Sequence, residues 1–177
     1  MFNLRDYQKK VVDEAPDKWG LWFKQRVGKT PTSIRLACAR SKIVIVICPK
    51  FLTGHWEKEI KDWNNSKCKF IVLGKEQFRN KYKELPEADT IIWDEVHVGG
   101  GNYKSKLFKA VQAYIKQYKV IYVWLLTGTP QTASYWAAYS YGKLLGKDWN
   151  WMGWCKAFFY KVRMGRRDIW LPNKSKE

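Results

Sequence analysis

The sequence predicts an α/β fold in which a parallel sheet is flanked by helices. Short apolar segments of strand length alternate with helical segments along most of the 177 residues. Ile43–Cys48 is a nearly continuous β-branched run, which is typical of a central parallel strand buried on both faces. Polar motifs directly follow three of the predicted strands, and the carboxyl ends of parallel strands form the ligand-binding edge of such sheets.

The first part of the chain contains a helix, a strand and a second helix. A helix is predicted over residues 3–15, because apolar side chains recur close to one helical face. Asn3 can cap its start and Pro16 ends it. A short strand follows at 19–23, and the next helix is predicted over 31–40.

The remaining elements continue this alternation. Their apolar segments predict further strands at 43–48, 68–73, 90–94 and 120–126. Further helices are predicted from residue 53, over 75–84, over 104–118, and after the last strand up to residue 145. The glycine-rich segment 98–102 is interpreted as a flexible loop.

The last part of the chain differs in composition from the rest. We predict one lobe over residues 1–146 and an extension over 147–177 that is first Trp-rich and then basic. Segment 149–154 either packs as core or docks a partner, and we favour core because clustered Trp is costly to expose. The last residues are expected to be disordered.

The charge of the chain predicts a polyanionic partner. It carries 33 Lys and Arg against 16 Asp and Glu, a net charge of +17. An excess of this size attracts nucleic acid most simply, and we favour DNA over RNA. The alternative is a charged surface kept for solubility.

Several other classes of protein are excluded by composition. No apolar run approaches the ~20 residues of a membrane span, and the start of the chain lacks the apolar segment of a signal peptide. The four cysteines show no Cys-x-x-Cys spacing, and there are only two histidines, so neither a zinc site nor a disulfide framework is expected. We predict a cytoplasmic protein that does not associate with a membrane.

A phosphate-binding motif lies between the predicted strand at 19–23 and the helix that follows. It reads Lys-Gln-Arg-Val-Gly-Lys-Thr at 24–30. In this arrangement backbone N–H groups hold phosphates, Lys29 reaches the β- and γ-phosphates, and the Thr30 hydroxyl holds magnesium. Because the strict motif requires glycine where Phe23 stands, an ordinary turn remains the alternative.

Two carboxylates end another predicted strand. Residues 90–97 read Thr-Ile-Ile-Trp-Asp-Glu-Val-His, so Asp94 and Glu95 follow an apolar run at a place where charge is expensive. Such carboxylates usually face a metal and its phosphates, although the strand could simply run into an acidic loop. A polar Thr-Gly-Thr-Pro segment at 127–130 ends the last strand. Together the three strand ends predict one nucleotide site.

Five segments in order carry a resemblance to a known family. They are Leu-Arg-Asp-Tyr-Gln at 4–8, Val-Gly-Lys-Thr at 27–30, Cys-Pro-Lys-Phe-Leu-Thr-Gly-His-Trp-Glu-Lys-Glu-Ile at 48–60, Asp-Glu-Val-His at 94–97 and Leu-Leu-Thr-Gly-Thr-Pro at 125–130. The chain resembles the first RecA-like lobe of a superfamily-two helicase or translocase, closest to the Swi/Snf-type branch, in a compact form that suggests a phage or viral source. The resemblance implies a single lobe of the RecA-like P-loop NTPase fold that binds ATP and Mg²⁺.

The resemblance also implies roles for individual residues. Gln8 would read the adenine edge, and Glu95 would orient or deprotonate the attacking water. The implied cofactor-binding residues are Gln8, Arg5, Val27, Gly28, Lys29 and Thr30. The implied catalytic residues are Glu95, Asp94 and Lys29, with Thr30 and Asp94 as the metal ligands. The implied nucleic-acid-binding residues are Lys50, His55, Thr127 and Thr129.

Two departures from the family bear on activity. Arg26 stands where Swi/Snf proteins usually carry a second glycine. The 177 residues are also too few for the second lobe, whose arginine finger is worth about 10³–10⁵ in rate. We therefore expect weak ATP hydrolysis by this chain alone, with a second lobe in another chain or in a self-associated copy. The alternatives are a lone-lobe binding module without ATP turnover and a basic mimic of a helicase lobe.

Overall fold

One fully parallel sheet organises the structure. The computed structural model of the protein describes residues 3–129, 135–164 and 167–172. Five strands pair in parallel in the order β1-β5-β4-β2-β3. Their bounds are Lys18–Leu21 for β1, Ile43–Cys48 for β2, Lys69–Gly74 for β3, Thr90–Trp93 for β4 and Tyr122–Leu126 for β5. The predicted α/β class with a parallel sheet is confirmed.

Helices connect the strands and cover both faces of the sheet. Their bounds are Asp6–Glu14 for α1, Lys29–Arg40 for α2, Thr53–Trp63 for α3, Lys75–Lys81 for α4, His97–Gly100 for α5, Lys106–Gln117 for α6, Tyr135–Leu144 for α7 and Trp151–Phe158 for α8. A 3₁₀ turn, Lys50–Leu52, leads from β2 into α3. None of the helices in the described part of the chain is long and apolar enough to cross a membrane.

The β2 strand divides the core into two layers. Its side chains alternate between the faces of the sheet, as in any strand. Val44 and Val46 pack with residues of α2 and α3, among them Ile34. Ile45 and Ile47 pack on the other side, against residues of α4, α6 and α7. Because both faces are covered, β2 carries β-branched residues without a polar alternation.

Several predicted boundaries are wrong by a few residues. The first helix begins at Asp6 and not at Asn3, because the backbone N–H of Arg5 is satisfied by the Gln8 side chain at 2.8 Å. The second helix begins at Lys29, two residues before the predicted start, so the phosphate-binding motif leads directly into its first turn. The predicted strand at 19–23 ends at Leu21.

Part of the predicted flexible loop at 98–102 is helical. His97–Gly100 forms one distorted turn, in which Val98 and Gly99 depart from helical angles. The N–H of Gly100 donates to the carbonyl of Val96 at 2.9 Å, and the N–H of Val98 donates to that of Glu95 at 3.0 Å. These local hydrogen bonds give the glycines a defined conformation.

The C-terminal extension contains a helix and a hairpin. The Trp-rich segment leads into α8. Trp149, just before the helix, stacks on Trp154 with ring centroids 4.7 Å apart, and Trp151 packs on Tyr139 of α7 at 5.0 Å. These Trp side chains are half-buried, and the preference for core over partner docking stays a prediction. An antiparallel hairpin that the sequence analysis did not predict follows, with β6 at Phe159–Met164 and β7 at Arg167–Pro172. The terminal residues predicted to be disordered, from 173 onward, lie outside the described residues.

Candidate active site at the carboxyl edge of the sheet

Three predicted motifs meet at one edge of the sheet. β5 lies between β1 and β4, and the last residues of the three strands are in register, with Leu21 beside Leu126 and Trp93 beside Leu125. The segments 22–28, 94–97 and 127–129 leave the sheet from these adjacent strand ends. The structure therefore brings the phosphate-binding motif, the carboxylates and the Thr-Gly-Thr segment together.

The phosphate-binding loop uses two left-handed backbone positions. Gly28 has φ +82°, where a non-glycine residue is strained, and a Cβ at this position would lie 2.5 Å from Nε2 of Gln8 and displace the Gln8 amide. Arg26, at the position where the resemblance leads us to expect a second glycine, has φ +62°. This conformation costs a non-glycine residue roughly 1–2 kcal/mol. The loop therefore keeps a glycine-type backbone at Arg26 despite the substitution.

The Gln8 amide holds the loop in place. Its oxygen accepts from the backbone N–H of Arg5 at 2.8 Å, while its Nε2 donates to the Gly28 carbonyl at 3.2 Å and to the Thr32 hydroxyl at 3.0 Å. Gln8 is only 5% exposed. The resemblance assigned this amide to adenine recognition, but both its oxygen and its nitrogen already form hydrogen bonds within the chain.

Helix α1 makes a second contact with the loop through Tyr7. The Tyr7 hydroxyl donates to the Val27 carbonyl at 2.8 Å, and its ring meets that of Phe23 edge-on. The sequence analysis quoted Tyr7 only within the segment 4–8 and assigned it no contact with the loop. Together with Gln8, it fixes the loop against α1 before any ligand is bound.

The Lys29 ammonium lies in the mouth of the loop. Nζ donates weakly to the carbonyls of Phe23 at 3.3 Å and Lys24 at 3.4 Å. It also lies 3.5 Å from where a Cβ on Gly128 would stand, which places it beside the segment that follows β5. Its positive charge is close enough to oppose protonation of Asp94. The cation is therefore at the centre of the three segments.

Asp94 is a buried carboxylate with two fixed hydrogen bonds. It is 6% exposed, and its Oδ2 accepts from Trp56 Nε1 at 2.9 Å. Its Oδ1 accepts from the backbone N–H of Glu95 at 2.9 Å. Burial raises the pKa of Asp94, and the hydrogen bond from Trp56 opposes this shift. A desolvated carboxylate in such a place gains from a bound cation.

The partnership between Trp56 and Asp94 was not predicted, and it can be tested by mutation. We expect Trp56→Phe to lower the free energy of unfolding by about 1–3 kcal/mol at neutral pH, because it removes a donor to a buried carboxylate. This hydrogen bond favours the ionised form of Asp94, so the difference from the unaltered chain should shrink as pH falls through the pKa of Asp94.

Urea unfolding at several pH values measures this difference. Trp124→Phe is a suitable control, since Trp124 is also buried but donates to the main-chain carbonyl of Pro16 at 3.2 Å. A cost of Trp56→Phe that does not change with pH would show that lost packing, and not the hydrogen bond to Asp94, explains it.

Glu95 is connected through His97 to the segment after β5. Its Oε2 lies 3.1 Å from His97 Nδ1, and the same nitrogen lies 2.8 Å from the Thr127 hydroxyl. Thr127 Oγ1 in turn accepts from the backbone N–H of Thr129 at 3.0 Å. The sequence analysis quoted His97 within a motif but gave it no role. The structure makes it the link between the carboxylate motif and the Thr-Gly-Thr motif.

The four residues assigned to nucleic acid differ in exposure. Thr127 is completely buried, whereas Thr129 is exposed. Lys50 and His55 are also exposed, on the turn and helix that follow β2. Because β1 and β2 are three strand spacings apart, these two residues lie roughly 14 Å along the edge from the phosphate-binding loop. The structure therefore separates them from the phosphate-binding loop, whereas the end of β4 that carries Asp94 is only one strand away on the same edge.

Comparison with known proteins supports the fold. No protein-family model matches the chain, and no curated protein matches it. Among the solved structures, 45 chains match. One is the Hef helicase domain of Pyrococcus furiosus, with a TM-score of 0.64 and 19% sequence identity over 82% of this chain. The match spans 37% of the Hef chain, a little over a third of its length. At this identity the likeness shows the fold alone, a RecA-like α/β lobe.

Proposed function

We propose that the chain is the ATP-binding lobe of a nucleic-acid-dependent ATPase, of the DNA helicase or translocase type. Efficient hydrolysis would need a second lobe. The observation that carries the proposal is the convergence of Lys29, Asp94 and Glu95 at the carboxyl edge of a helicase-type lobe. The Swi/Snf-like branch, a phage or viral source, the lobe boundary at 146 and a cytoplasmic location stay predictions from the sequence.

In this proposal the phosphates bind at the N-terminus of α2. Backbone N–H groups from Val27 to Thr30 would hold them, and the Lys29 ammonium would reach the β- and γ-phosphates. Tyr7 and Gln8 already fix this loop, so little ordering is left for the ligand to do. Gln8, with Arg5 beside it, would recognise adenine. To do so, its amide has to give up one of its present hydrogen bonds.

The residues present fit a magnesium ion. Among the described residues no cluster of three or more His, Cys, Asp and Glu side chains could hold a metal. The proposal does not require such a cluster. Mg²⁺ in nucleotide sites is held by one or two protein oxygens together with phosphates and water. Thr30 and Asp94 would supply those oxygens, and the buried, desolvated carboxylate of Asp94 suits a cation. When bound, the ion would neutralise charge on the phosphates.

Glu95 is proposed to orient or deprotonate the attacking water. Its carboxylate is half-buried and paired with His97, which fixes its direction. Through His97 and Thr127, the position of Glu95 is tied to the segment that holds Thr129. A movement of the exposed Thr129 can thus shift Glu95 through this series of hydrogen bonds. Thr127 is the buried residue that connects the two ends.

Nucleic acid is proposed to bind along the same edge through Lys50, His55 and Thr129. Since the chain has a net charge of +17, we expect its affinity for double-stranded DNA to fall steeply with salt. A plot of log affinity against log salt should be linear, with a slope of about −0.9 for each phosphate contact. Fluorescence anisotropy of a labelled duplex between low and physiological salt measures this slope.

Single substitutions make this test specific to the proposed surface. Lys50→Gln should make the slope shallower by roughly 0.9, as expected for the loss of one phosphate contact. The control is Lys116→Gln, an exposed lysine near the end of α6, at the opposite edge of the sheet. A flat salt dependence, or equal effects of the two substitutions, would count against phosphate contacts at this edge.

A further inference from the structure

A lysine on a neighbouring element holds the main chain of the carboxylate turn. Lys75 is the first residue of α4 and directly follows β3. Its ammonium donates to the carbonyl of Glu95 at 2.7 Å and to the carbonyl of Val98 at 2.8 Å. These are short, charge-assisted hydrogen bonds, which are the stronger kind. One side chain therefore bridges the two ends of the turn that carries Glu95 and His97.

The position is unfavourable for a lysine by itself. Burial lowers the pKa of Lys75 to about 8, although the charges of Asp94 and Glu95 favour the ammonium. A leucine or methionine would fill the same space without the desolvation cost. What the lysine adds is a pair of hydrogen bonds to the turn, and these bonds need a donor at the end of a long side chain.

The turn that Lys75 bridges is one that the backbone does not favour. Glu95 has φ +46°, a left-handed conformation that non-glycine residues seldom adopt. Val98 and Gly99 also depart from helical angles within α5. Such conformations persist only where surrounding contacts hold them. The two hydrogen bonds from Lys75 act at both ends of this segment and so can supply that constraint.

We propose that Lys75 is a positioning residue for ATP hydrolysis, which holds the turn of Glu95 so that its carboxylate keeps a fixed direction. This inference rests on the proposed function, because it assumes that Glu95 acts on the attacking water. Lys75 does not itself touch the nucleotide in this account. It acts through the main chain of Glu95, while His97 constrains the carboxylate from the other side.

The test compares three substitutions on one helix. Lys75→Met keeps the length and apolar stem but removes the donors, whereas Lys75→Arg keeps a cation with several donors. Lys81→Met, at the exposed end of α4, is the matched control. For each chain, turnover at saturating ATP and DNA, the Kd for ATP and the hydrogen exchange of the Val98 amide are measured. That amide donates to the Glu95 carbonyl within the turn at 3.0 Å.

We expect Lys75→Met to lower kcat by about tenfold to a hundredfold, because a misplacement of about 1 Å at a catalytic group costs on that order. The Kd for ATP should stay within about twofold, since the phosphate-binding residues are untouched. The Val98 amide should exchange faster in Lys75→Met. Lys75→Arg should restore most of the rate and protection, and Lys81→Met should resemble the unaltered chain.

Unchanged kcat together with unchanged exchange in Lys75→Met would overturn the proposal. Loss of ATP binding along with turnover would overturn it as well, since a positioning role predicts an effect on kcat alone. If the unaltered chain binds ATP but never hydrolyses it, the catalytic part of the proposed function fails. The exchange comparison then still decides whether Lys75 holds the turn, because it does not depend on turnover.

Discussion

Lys29→Ala is expected to lower the affinity for ATP by about 100-fold or more. The substitution removes the cation that lies between the phosphate-binding loop and the segment after β5. A hydrogen bond to a charged group contributes about 1.5–3 kcal/mol, and each 1.4 kcal/mol is a factor of ten in affinity. Two such bonds to phosphate oxygens therefore account for at least this loss. Titration calorimetry with ATP and magnesium measures it.

The matched control for this experiment is Lys24→Ala. Lys24 is exposed on the same loop, and only its main-chain carbonyl contacts Lys29, so the substitution leaves that contact in place. Its affinity for ATP should remain close to that of the unaltered chain. Equal affinities of all three chains would remove Lys29 from the nucleotide site and leave the loop as an ordinary turn.

Glu95→Gln is expected to keep ATP binding and to lower turnover by about 10²–10⁴, the usual contribution of a general base. Glutamine has nearly the same shape and can still contact His97, so the turn and the phosphate-binding loop should be retained. It cannot accept the proton of the attacking water. Phosphate release at saturating ATP, with and without double-stranded DNA, measures the effect, and calorimetry measures the binding.

The same measurements separate the two main readings of this chain. Turnover that rises with DNA and is lost in Glu95→Gln indicates a working ATPase lobe. ATP binding without turnover in the unaltered chain, even with DNA, would favour the binding module without ATP turnover. Glu87→Gln, an exposed acid on the connection before β4, is the control and should leave both quantities unchanged. Equal turnover in Glu95→Gln and the unaltered chain would remove Glu95 from the catalytic role.

The sequence predicted the fold class because its signals for strands are local and strong. The β2 segment Ile43–Cys48 has the predicted bounds, since five successive β-branched residues favour a strand buried on both faces. The convergence of motifs was also predictable, because parallel strands place their carboxyl ends together. The ends of elements were less predictable. The start of α1 depends on a side chain of Gln8 that caps the backbone of Arg5.

The contacts that complete the candidate site were beyond the reach of sequence patterns. Trp56 and Asp94 are 38 residues apart, and Lys75 and Glu95 are 20 apart, so no local periodicity connects either pair. The sequence analysis quoted Trp56 only within the segment 48–60 and placed Lys75 only at the start of a predicted helix, and it gave neither residue a role. A signal was present only for His97, which stands within the Asp-Glu-Val-His motif. The hairpin of β6 and β7 did carry a local signal that the sequence analysis did not use, because residues 160–164 alternate apolar and basic residues with the period of two that is typical of a strand.

The most direct test of the central claim is a crystal structure with Mg²⁺ and a non-hydrolysable ATP analogue. The account predicts phosphates at the backbone N–H groups of Val27 to Thr30, with the Lys29 ammonium on the terminal phosphates. It also predicts the metal between the Thr30 hydroxyl and the Asp94 carboxylate. A nucleotide bound elsewhere on the chain, or a metal that does not contact Asp94, would contradict it.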